Sequence, residues 1–259
     1  MKSSSPWAWI PTLYFAQGLP YVAVMTISVI MYKRLDISNA ELAFYTGWLN
    51  LPWVIKPLWS PFIDLIKTKR WWITWMQLLI GSGLAGIAFT IPTEHFFQLT
   101  LAVFWLLAFG SATHDIAADG FYMLGLSSHE QALFVGIRST FYRIATIAGQ
   151  GLLIMLAGYL EKKTGNIPFS WSITFMVLAG LFLGLWAYHN FILPRPQSDK
   201  AACHVSSATL MHEFWATFVS FFRKKQAGIA ILFMLLYRLP EAQLAKMSIP
   251  FLIDPIGEG

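Results

Sequence analysis

Apolar residues run through this chain in blocks of about twenty, separated by short polar stretches, and about twenty residues is the length an α-helix needs to cross a bilayer. Seven blocks are expected to be membrane-spanning helices: Trp7–Met31, Glu41–Phe62, Trp71–Pro92, Phe96–Leu126, Leu133–Leu160, Ser170–Leu193 and Ala227–Leu244. A soluble domain can hide one helix that is apolar on all sides, but it has no interior for seven of them in 259 residues. The first block is too long for a cleavable leader, its start is only weakly basic, and no small-residue cleavage site follows it.

The composition agrees. The chain is 56% hydrophobic and 16% aromatic, and its 12% of charged residues is about half the share of an ordinary soluble domain. The expected fold class is all-α integral membrane. The one cysteine, Cys203, excludes an internal disulfide framework. A net charge of +5 suggests nucleic acid until it is mapped along the chain, where it marks topology instead.

Lys2, Lys67, Lys69, Arg70, Arg195, Lys200, Arg223, Lys224 and Lys225 fall on one side of the predicted spans, against Lys33, Arg34, Lys162 and Lys163 on the other. Positive charge stays inside, so the N-terminus is expected in the cytoplasm. Trp7, Trp9, Trp71, Trp72 and Trp171 stand at span ends, where interfacial aromatic residues collect.

The sequence divides into a six-helix transmembrane domain (residues 1–193), a cytoplasmic linker (194–225) and the start of a second transmembrane domain (226–259). The linker opens with Pro194–Ser207. It then carries Leu210, Met211, Phe214, Trp215, Phe218, Phe221 and Phe222 at helical spacing, which predicts an amphipathic helix on the membrane surface or packed on another domain. A weak repeat links the first and seventh spans: Leu13-Tyr14 with Leu19-Pro20, and Leu236-Tyr237 with Leu239-Pro240. Each places a helix breaker near mid-membrane, as broken spans at transport sites do. Six spans, a linker and a seventh span give the first part of a six-plus-six transporter, with about five further spans expected in a whole molecule of twelve.

Charges inside the spans are the candidate chemistry, because each costs several kcal/mol at membrane depth. A rise of about 1.5 Å per residue puts Asp119 about 10 Å and Asp115 about 16 Å from the cytoplasmic end of the fourth span, with Arg138 about 8 Å and Arg143 about 15 Å along the fifth. Asp119 is thus expected level with Arg138, and Asp115 level with Arg143. Lys56, about 9 Å deep, is expected in the Asp119 layer. Asp119, Arg138 and Lys56 read as a helix-locking network. The deeper set, Asp115, Arg143, Arg238, Glu241, Gln17 and Tyr21, reads as the pathway of a substrate or a proton. His114 suits either a proton carrier or, more often, a buried hydrogen-bonded histidine. His114, Asp115 and Asp119 lack a second ligand cluster at suitable spacing, so no metal is expected. Asp64 at the end of the second span, with Lys67, Lys69 and Arg70 after it, suits a cytoplasmic gating latch: Asp64 can cap a helix N-terminus and the basic residues can reach Asp119.

Phe15-Ala16-Gln17-Gly18-Leu19-Pro20, Lys56-Pro57-Leu58-Trp59-Ser60-Pro61 with Asp64, Ser111-Ala112-Thr113-His114-Asp115-Ile116 with Asp119, and Tyr142-Arg143 occur in order on successive spans. In this set the chain resembles the AmpG-type permeases of the major facilitator superfamily, over roughly residues 7–192 and into the seventh span. The resemblance implies a twelve-span, proton-driven importer of anhydro-muropeptides, disaccharide-peptide fragments of the cell wall, in the bacterial inner membrane. It implies no cofactor beyond the proton as coupling ion, and as partners the glycopeptide substrate, the lipid bilayer and a C-terminal half or partner chain. It assigns Asp64 and Arg70 to the gating motif and Asp115, Asp119 and Arg143 to the charged positions of the fourth and fifth spans. The same broad family includes acetyl-CoA transporters, which leaves a second solute open. A non-transporting membrane partner is a further reading. An integral membrane enzyme ranks last, because no nucleophile stands beside a base. ATP drive is not expected without a phosphate-cradling loop and its lysine.

Overall fold

The computed structural model describes residues 5–200 and, beyond them, residues 215–216, 219–220, 223–230, 232–233 and 236. The chain divides into two units, Met1–Cys203 and His204–Gly259. In the second unit the described positions 215–216, 219–220, 227–230, 232–233 and 236 are helical. The remainder of the predicted amphipathic helix and seventh span lies outside the described residues, and Arg238 and Glu241 with it.

Five helices of the first unit are long and apolar enough to cross a membrane: α1 (Pro6–Arg34), α5 (Lys69–Thr90), α6 (Phe96–Gly125), α7 (Ser128–Thr164) and α8 (Ile167–Ile192). With no strand among the described residues, this is an all-α membrane protein. Each start has a local cause. Thr68 accepts from Trp71 N ahead of α5, and Asn166 accepts from Phe169 N ahead of α8. Ser127 and Glu130 form a reciprocal capping box on α7. That helix ends at Gly165, whose φ of 66° is the left-handed turn that favours glycine.

The second expected span, Glu41–Phe62, is not one helix. The chain passes through α2 (Asn39–Gly47), a 3₁₀ turn (Trp48–Asn50), α3 (Leu51–Ile55), a second 3₁₀ turn (Lys56–Leu58) and α4 (Ser60–Leu65). Pro52, Pro57 and Pro61 are the reason: each removes a backbone donor and its ring clashes with the turn before it. Such broken helix is tolerated at membrane depth where it is buried in protein or lines a cavity. Pro20 perturbs α1 more gently, and a single π-helical turn, Ala23–Ile27, follows it without interrupting the helix.

The most enclosed helix is α1, two-thirds of whose most apolar window is buried. It packs along α7 and α6, and α5 is wedged between α6 and α8. Leu19, Ile27, Ile80, Phe104, Phe175 and Phe182 centre one apolar cluster, and Trp9, Ile10, Phe121 and Leu126 a second, toward the end where α6 finishes and α7 begins. The least covered helix is α7, with Ile144, Ile147, Leu152 and Met155 all exposed.

Candidate functional site

Three polar layers lie inside the helices of the first unit. The shallowest joins Asp119 of α6 to Arg138 of α7 at 3.3 Å, as the helix register predicts. Tyr14 of α1 completes it: its hydroxyl donates to Asp119 at 3.0 Å and accepts from Arg138 at 3.1 Å. The guanidinium also lies 4.9 Å from the Tyr122 ring centroid. This layer ties three helices together and suits the helix-locking reading. Lys56 is not part of it.

Lys56 belongs one turn deeper. The 3₁₀ turn at Pro57 brings its ammonium to 3.9 Å from Oδ2 of Asp115, whereas Arg143, expected level with Asp115, is exposed on α7. The proline breaks interrupt the second span, so a uniform rise of about 1.5 Å per residue does not set the depth of Lys56. Asp115 is buried, and its Oδ1 has no hydrogen-bond partner among the described residues. The side chains of Gln17 and Trp53 adjoin the carboxylate. Tyr21, one helical turn beyond Gln17, packs its ring edge-on against Trp53 with centroids 5.2 Å apart. Tyr142 of α7 lies near both Asp115 and Tyr21.

Four elements therefore converge on one carboxylate. The cause on the α1–α7 side is Gly18. A Cβ there would stand 2.8 Å from the Tyr142 carbonyl oxygen and 2.9 Å from Ala145 Cβ, so only glycine lets the two backbones approach this closely. Sequence reasoning missed Trp53 and Tyr142. Trp53 looks like span filler until the broken span turns it beside Asp115. Tyr142 was visible only as the neighbour of Arg143.

The third layer is uncharged. Gln77 of α5 donates from Nε2 to His114 Nε2 of α6 at 3.0 Å and accepts at Oε1 from His189 Nδ1 of α8 at 3.0 Å. His189 Nε2 lies 3.0 Å from the Thr12 hydroxyl of α1. All three large side chains are fully buried, which is the structural histidine the sequence favours for His114. Gln77 bridges both histidines, so Gln77→Leu strands two buried polar groups. It is expected to cost about 2 kcal/mol, read as a lower detergent melting temperature. A melting temperature equal to wild type would show that the bridge carries no weight.

The gating residues sit differently from expectation. Asp64 pairs with Lys69 of its own unit, and the basic residues after it do not reach Asp119. Arg70 donates from Nη2 to the Asn190 carbonyl at 2.5 Å and from Nε to the Leu193 carbonyl at 3.3 Å, closing the end of α8. No group of three or more histidine, cysteine or acidic side chains suited to a metal occurs among the described residues.

Similarity to known proteins runs across these layers. The BT1 family pattern matches residues 15–243, most of the chain. The chain belongs to the BT1 family. It is 25% identical over 251 residues to the anhydromuropeptide permease of Escherichia coli K12, covering 95% of this chain and 48% of that protein. A protein of Rickettsia conorii named as a transporter, AmpG 4, is 25% identical over 251 residues, covering 93% of this chain and 58% of its own length. An uncharacterised protein of Haemophilus influenzae is 29% identical over 250 residues, covering 93% and 55%. The chain thus spans about half the length of the curated relatives it matches. Two of these relatives are named as AmpG-type transporters or permeases, and the five apolar helices of this chain are those of a multi-pass membrane protein.

Proposed function

We propose that this chain forms the N-terminal part of a proton-coupled importer of anhydro-muropeptides in the bacterial inner membrane. In this reading the N-terminus is cytoplasmic and the carrier works by alternating access. The single observation that supports it best is the Asp115 layer: a carboxylate buried at membrane depth, with one oxygen near Lys56 and the other without a partner among the described residues. An intramembrane ionisable group of this kind is costly and is kept for function. A carboxylate that loses its charge on taking a proton, beside a half-exposed lysine that can turn toward water, gives a carrier two states of different local charge. Gln17, Tyr21 and Arg143 then line the solute's side of the layer.

The substrate class draws on the relatives' names and on the lining. A muropeptide carries sugar rings and carboxylates. Tyr21, Trp53 and Tyr142 offer aromatic edges and faces for the apolar side of a pyranose ring, and Lys56 and Arg143 offer cations for carboxylates. Trp53→Ala is expected to lower the uptake of labelled anhydro-muropeptide about tenfold, the scale on which a lost aromatic anchor costs 1–2 kcal/mol, while Trp53→Phe keeps most of it. Uptake in cells expressing each variant within the whole carrier, at matched membrane levels, checks this. Equal uptake by Trp53→Ala and wild type would remove Trp53 from the solute path. Failure of wild type to take up the muropeptide above an empty-vector control would overturn the substrate assignment itself.

A further inference from the structure

The segment that follows α8 is fastened to the first unit, independently of any transport activity. The sequence predicts a linker from Pro194 onward. The structure instead ties Ser198 and Asp199 to the ends of α5 and α6. The two carboxylate oxygens of Asp199 accept from the first two amides of α5, Lys69 N at 2.7 Å and Arg70 N at 3.0 Å. Thr68 Oγ1 accepts from the third, Trp71 N, at 3.1 Å. A helix start leaves four amides without intrahelical partners, and side chains here satisfy the first three. The carboxylate also sits at the positive end of the α5 dipole. One residue earlier, the Ser198 hydroxyl donates to the Leu124 carbonyl at 2.9 Å, at the end of α6. Arg70 meanwhile holds the carbonyls of Asn190 and Leu193, so the residue whose amide Asp199 caps also anchors the chain from which Asp199 departs.

We propose that residues 194–200 are a clasp of the first unit, with Asp199 as its pin, so that this unit extends past Leu193, the end of the sixth predicted span. The clasp closes a ring through helix ends: α8 to Arg70, Arg70 to Asp199, and Asp199 back along the chain to α8. It also accounts for Arg70 reaching the carbonyls at the end of α8. Asp199 holds the start of α5 in place, and that holds Arg70 over the end of α8.

The test needs no transport assay. In the purified chain, Asp199→Ala is expected to speed amide hydrogen exchange at Lys69 and Arg70 about five- to tenfold, the usual consequence of losing a helix N-terminal cap. Trypsin cleavage after Lys200, the exposed basic residue next to Asp199, is expected to accelerate several-fold as well. Exchange at Glu130, in the capping box of α7, serves as the control and stays unchanged. Asp199→Asn keeps an acceptor but loses the charge, so it should fall between the two, and it serves as the second variant if the alanine variant does not fold. Exchange at Lys69 and Arg70 unaltered in both variants, with cleavage after Lys200 as slow as in wild type, would overturn the clasp.

Discussion

Asparagine in place of Asp115 is expected to abolish concentrative uptake, lowering it by about 100-fold or more, while the protein still inserts and folds. The magnitude is that of losing a positioned proton-transferring group. The fold should survive because the charge left behind is not trapped. Removing one member of a fully buried pair costs several kcal/mol. The Lys56 side chain, however, is 35% exposed against 10% for Asp115, and its long stem lets the ammonium turn to water. The amide also keeps the shape of the carboxylate beside Gln17 and Trp53. Uptake of labelled anhydro-muropeptide, set beside the detergent melting temperature of the same preparation, separates the two effects. Normal accumulation by Asp115→Asn would remove Asp115 from the coupling step.

Leucine at Gly18 should produce the largest loss of stability. The space a Cβ would need is already taken by the Tyr142 carbonyl oxygen and Ala145 Cβ, both fixed parts of α7. Backbone cannot yield as a flexible side chain can, so the helices must separate, at a cost of about 3 kcal/mol. Uptake should fall with it, because Gln17 precedes Gly18 and Tyr142 faces it, and both border the Asp115 layer. Gly86→Ala is the matched control. Nothing lies within 4 Å of a Cβ there, and removing a helical glycine should be neutral or slightly stabilising. If Gly18→Leu melts like Gly86→Ala, the close approach of α1 and α7 is not what builds the site.

Which features were legible in the sequence follows from what each depends on. Apolar runs report helices directly, so α1, α5, α6, α7 and α8 stand where the blocks predict them. The Asp119–Arg138 pair was legible because both helices are continuous and start from one short loop, so counting residues amounts to measuring depth. The same count failed for Lys56, where Pro52, Pro57 and Pro61 break the run and rise per residue no longer converts to depth. It failed for Arg143 for another reason: depth was estimated, but the face of α7 on which the side chain stands is set by tertiary packing. Asp199 was illegible because its partners are backbone amides about 130 residues away, and no side-chain pattern announces them. The Gln77 bridge between His114 and His189 was hidden too, since a lone glutamine and two histidines on three separate spans carry no spacing signal.

The central claim, proton-driven import of a muropeptide, is tested most directly by following labelled anhydro-muropeptide into cells that lack their own uptake and express the whole carrier of which this chain forms the N-terminal part, with and without a protonophore. The account predicts accumulation above the outside concentration that collapses when the proton gradient is dissipated. Accumulation that persists after the protonophore would contradict proton coupling, and no accumulation above the empty-vector control would contradict the transport of this solute altogether.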